Sequence, residues 1–116
     1  AFLIWHNYVI YTIMSQVEQM SIQKPPSVKA MMKATELAME TEKPICLDYY
    51  IASCNKLCKI ARNGADGDKF LFKSQEEYTS PLKTMYKITD DSTNEVDDYI
   101  LETQNSIYII SGLMLT

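Results

Sequence analysis

The chain has 116 residues, 47% of them hydrophobic and 22% charged, which suits one globular domain and leaves no length for a second. The formal net charge is −4 and Arg62 is the sole arginine, a balance that disfavours nucleic acid as the main partner, because phosphate recognition leans on arginine forks and basic stripes. Cys46, Cys54 and Cys58 are odd in number and irregular in spacing, so they make no disulfide framework and fit a reducing compartment, most simply a cytoplasm.

Residues 1–24 form an apolar N-terminal segment, and no formal charge occurs before Glu18. A membrane-spanning helix needs about 20 apolar residues, and a signal peptide needs a basic start; neither fits. Three readings remain: a buried strand, a stretch ahead of a true start at Met14, or a membrane remnant. Only the third, with residues 1–13 as an apolar anchor, makes a membrane a partner. Residues 25–116 read as a single domain. Pro25 and Pro26 stop any earlier element, and Ser27 is placed to cap a helix over Val28–Glu42. Val28, Met31, Met32, Thr35, Ala38 and Met39 recur at three- and four-residue steps and are expected to share its buried face. Lys29, Lys33, Glu36 and Glu40 fall opposite, and Pro44 ends the element.

Alternation then predicts a strand over Ile45–Ala52, followed by strands at Leu57–Arg62, Lys69–Lys73, Leu82–Ile88, Tyr99–Gln104 and Ile107–Ser111. On the fourth, Leu82, Thr84, Tyr86 and Ile88 should share one face. Asn63–Asp68 is a glycine-bearing loop, Thr89–Asp98 an acidic loop, and Asn105–Ser106 a hairpin turn in which Asn tolerates left-handed backbone. Connections this short force mainly antiparallel pairing. The predicted fold is α+β: one N-terminal amphipathic helix packed on a six-stranded, mainly antiparallel meander, either an open sheet or a small SH3-like barrel.

Little in this sequence supports bond-making chemistry. His6, the single histidine, is the one base available to a serine or cysteine nucleophile. Gly64 and Gly67 lack the lysine and serine of a phosphate loop. Cys54 and Cys58 have zinc-like spacing, but no second close pair accompanies them, and on one strand face they read as packed thiols. The acidic run Asp90, Asp91, Glu95, Asp97 and Asp98 lacks the regular ligand pattern of a calcium loop. No catalytic residue, metal site or cofactor is assigned. Two segments instead combine hydroxyl or amide groups with tyrosine at strand boundaries: Tyr78, Thr79 and Ser80, and Asn105, Ser106 and Tyr108. Such groups recognise small polar ligands or peptide backbone, although turn formation and cross-strand packing explain them equally simply. An exposed methionine face on the helix would pack against another copy.

The runs Lys43–Tyr49, Glu76–Leu82 and Glu102–Tyr108 resemble short uncharacterised proteins of large DNA viruses and phages, over roughly residues 25–111. There is a further likeness to phage anti-defence proteins that sequester cyclic-nucleotide signals. That likeness implies arginine clamps on phosphate, where this chain has Arg62 alone. The expected function is a non-enzymatic binding or interaction module of viral or phage type in the host cytoplasm, acting on a protein partner or by self-association. The alternative is a sequestering protein that holds a small anionic ligand with the same strand ends, Tyr78–Pro81 and Asn105–Tyr108, plus Arg62, Lys69 and Lys83. A small enzyme using Asp48 and the acidic loop is the third possibility.

Overall fold

The computed structural model describes residues 25–64 and 67–115; the apolar segment, His6 and Met14 lie outside the described residues. Helix α1 (Val28–Thr41) begins where the sequence places it. Ser27 Oγ accepts a hydrogen bond from the Ala30 amide at 3.1 Å, and Glu42 closes the helix in left-handed conformation (φ 56°), just ahead of Pro44.

The face that α1 buries overlaps the expected one only in part: Ala38 is buried and Met31 packs against the core, but the face is rotated towards the alanines. Ala30, Ala34, Leu37 and Ala38 go inward, whereas Val28 and Met32 are each 68% exposed. The opposing surface explains the choice. It consists of Ile45, Ile88, Ile100, Ile107 and Ile109, whose branched side chains fill the space between layers, so that the helix meets them with small residues. Met31 packs against the margin of this cluster, whereas Met32 stays exposed.

The central sheet has four strands in the order β1 (Ile45–Cys46), β6 (Ile107–Ser111), β5 (Val96–Thr103) and β4 (Leu82–Thr89). β4–β5 and β5–β6 are antiparallel, whereas β1 runs parallel to β6, with Ile45 opposite Ile107. β2 (Lys59–Arg62) and β3 (Lys69–Phe72) form a separate two-stranded hairpin. The described residues are therefore α+β with six strands, but they form neither one meander nor a closed barrel. The helix-bearing connection between β1 and the later strands permits the parallel return that short links forbid.

The predicted strand over Ile45–Ala52 breaks after two residues, and helix α2 (Tyr50–Cys54) replaces its second half. A short apolar run reads equally as strand or helix. Here burial decides: Tyr50 enters the helix-side core and Ala52 the hairpin-side core, so α2 straddles the end of the sheet. Ser53 Oγ donates to the Tyr50 carbonyl at 2.5 Å and accepts from the Ser111 amide at 2.7 Å, fastening α2 to β6. Cys54 and Cys58 consequently sit on different clusters rather than one strand face.

Three further expectations change. β5 starts at Val96, inside the predicted acidic loop, because Asp98 points inward. Leu82 pairs with Thr103 but Thr84 with Glu102, so Lys83 is an extra residue, a β-bulge. The bulge sends Leu82 to the hairpin side while Tyr86 and Ile88 face α1. The β5–β6 turn needs no left-handed asparagine: Thr103 Oγ1 accepts from the Ser106 amide at 3.1 Å and the Asn105 amide at 3.4 Å, and Asn105 is not among the residues of positive φ.

Candidate binding surface

The buried polar groups are committed to structure. Asp98 accepts from the Ser27 amide at 3.0 Å and the Tyr50 hydroxyl at 3.4 Å, tying the start of α1 to β5 and α2. Glu102 accepts from Lys43 Nζ at 2.5 Å and Thr84 Oγ1 at 3.0 Å, and Lys43 also donates to the Thr103 carbonyl. The Lys43 hydrogen bond holds the Glu102 carboxyl below its ordinary value. Burial, reinforced by Asp98, pushes the Tyr50 hydroxyl up. Burial likewise raises the Cys46 thiol, and raises Cys58 to about 11.

The acidic run is divided among separate tasks. Asp90 Oδ1 accepts from the Ser92 amide and hydroxyl, which lowers its carboxyl, and Asp91 pairs with Lys29 at 3.2 Å. Asp48 follows β1, at the opposite edge of the sheet from β4, beside Cys46, Tyr49 and Tyr108. The carboxylates suggested for an enzyme are therefore not brought together.

A groove with aromatic walls lies on the hairpin. Ser74 Oγ accepts from the amides of Glu76 and Glu77 and folds the chain back on β3, so that Tyr78 bridges Phe72. Thr79 pins this return: its amide donates to the Leu71 carbonyl at 2.9 Å, and its buried hydroxyl accepts from the Leu71 amide at 3.0 Å. On β3, Leu71 is wholly buried, so alternation turns Phe70 and Phe72 outward. The Phe70 and Tyr78 rings meet edge to face, 5.9 Å apart at 64°. They wall a groove of about 400 Å³ together with Asn63, Asp68, Thr79, Ser80 and Pro81.

Tyr78, Thr79 and Ser80 thus do share one site. Thr79 shapes it through hydrogen bonds already made, while Tyr78 is 60% exposed. Asn105, Ser106 and Tyr108 do not join them. The first two build the Thr103-stapled turn, and Tyr108 packs edge to face on Tyr49 at 5.5 Å. Arg62 and Lys83 lie elsewhere, on the opposite side of β3. Phe70, Asn63 and Asp68 were missed as site residues. Two outward phenylalanines flanking one inward leucine were the available signal.

No protein-family model, curated protein or solved structure matches the chain. Its function is therefore argued from the groove.

Proposed function

We propose that the protein is a non-enzymatic binding module whose hairpin groove takes an extended, proline-containing segment of a partner protein. The observation that carries this is the Phe70–Tyr78 ring pair, facing outward beside Pro81 in a groove with a polar rim. Aromatic-lined grooves suit preformed polyproline-type segments, which lose little entropy on docking. Asn63 and Ser80 can meet peptide backbone groups. The Asp68 carboxylate and the net charge of −4 favour a basic residue at one end of the ligand.

The state of two of the three thiols supports a binding rather than a catalytic reading. Cys46 and Cys58 are held in the neutral form by burial, whereas a cysteine nucleophile needs its thiolate favoured.

The test is fluorescence anisotropy with labelled seven-residue proline-rich peptides ending in arginine, against the same peptides ending in glutamate. The arginine set should bind more tightly, and Tyr78→Ala should weaken binding at least tenfold with an unchanged circular-dichroism spectrum. Absence of binding to the parent protein, or equal binding by Tyr78→Ala, would refute the assignment.

A further inference from the structure

Phe70 and Lys69 are adjacent on β3, so their side chains leave it on opposite sides. Phe70 enters the aromatic groove. Lys69 enters a second groove, of about 220 Å³, lined also by Ile60, Leu82, Lys83, Thr84 and Met85. In the hairpin register Lys69 lies directly opposite Arg62, which places two like charges in a cross-strand pair, a mutually repelling arrangement. Lys83 is the bulged residue of β4, and a bulge re-aims its side chain relative to a regular strand.

We propose that this groove binds a small soluble aryl phosphate: a phosphate monoester held by Arg62, Lys69 and Lys83, with its ring on Leu82 and Met85. Lys69 and Lys83 both line the groove, and Arg62 stands opposite Lys69 on the neighbouring strand, in a chain with more acidic than basic groups. None of the three makes an ion pair among the described residues, although Lys83 helps to lower the Glu102 carboxyl. Three cations, one with a bidentate fork, match a dianion better than a lone carboxylate. The floor of Ile60, Leu82 and half-exposed Met85 gives an apolar body somewhere to rest. The groove is smaller than the roughly 300 Å³ at which drug-sized pockets begin, so a phosphate with one ring is the fitting scale.

An acidic strand added to the open edge of β4 is the competing occupant. It is less favoured because the bulge at Lys83 interrupts the ladder there, and because the cations come from three strands instead of spacing along one.

The experiment is an amide-resolved NMR titration of the intact chain with phenyl phosphate, inorganic phosphate, phenol and an acidic five-residue peptide. Phenyl phosphate should give saturable shifts at Lys69, Lys83, Thr84 and Met85, bind several-fold more tightly than inorganic phosphate, and outdo phenol entirely. The double variant Lys69→Gln/Lys83→Gln should weaken it at least tenfold, while Tyr78→Ala leaves it unchanged, which separates this site from the aromatic groove. Lys69→Gln alone should keep or slightly raise Tm, since it removes a like-charge pair; that readout confirms folding of the variant. Arg62→Gln provides the same test from the other strand. Shifts from phenyl phosphate that are absent, or that persist undiminished in these variants, would overturn the site. Equal affinity for inorganic phosphate would overturn its apolar half, and binding of the acidic peptide alone would assign the groove to a strand.

Discussion

On the α1 side of the sheet, alanines meet isoleucines at close range, and Asp98 and Glu102 are buried with their hydrogen bonds made. On the hairpin side, Tyr49, Leu71, Leu101 and Ile110 form an inner cluster, but Phe70 and Tyr78 line a groove on one side of β3, and Lys69 and Lys83 a second groove on the other. The contrast separates stability from recognition. A helix laid on a four-stranded sheet already has a core, so the added hairpin is free to spend its outward residues on a ligand.

The largest expected effect lies in the first region. Ile100 is completely buried at the centre of the helix-side core, and Ile100→Ala should lower the unfolding free energy by about 3 kcal/mol, read by urea denaturation. A loss under about 1 kcal/mol would mean that the helix-side packing is not the main support. Next, Asp98→Ala strips the acceptor from the Ser27 amide and the Tyr50 hydroxyl and should cost about 1–3 kcal/mol. Hydrogen exchange at the first turn of α1 should rise more than at its centre; uniform exchange would place the role of Asp98 elsewhere.

The same region was only partly legible in the sequence. Ser27, Pro44 and the charge pattern mark α1 unambiguously, because capping and breaking are local chemistry. The rotation of α1 was not legible. The alanine stripe Ala30–Ala34–Ala38 and the methionine stripe lie side by side, and only the isoleucines across the interface select the smaller residues. The α2 turn and the parallel β1 are likewise tertiary outcomes, decided by what Tyr50 and Ala52 bury. At the candidate site, Tyr78–Pro81 stood out as a strand boundary rich in hydroxyls. Phe70 is legible only as a strand residue, since its inward or outward direction depends on Leu71 having the buried position. The convergence of Lys69 with Lys83 depends on a bulge that composition does not reveal.

Smaller again is the effect of pH on the helix side. The folded Glu102 carboxyl ionises below its ordinary value of 4.5, chiefly through the Lys43 hydrogen bond. Its contribution is therefore fully present above about 4.5 and disappears as pH falls through the lowered folded value. Stability curves of the parent and Glu102→Gln should converge below that range and separate above it. Parallel curves across the whole range would show that the Lys43 pairing does not set the pH response.

The most direct measurement concerns Tyr78, the residue on which the division between stability and binding turns. Urea unfolding and peptide anisotropy would be recorded together for Tyr78→Ser. The predicted result is an unfolding free energy within about 0.5 kcal/mol of the parent, as for an exposed substitution, with binding of the arginine-ended proline peptide lost. A stability loss approaching that of Ile100→Ala, with binding retained, would contradict the account.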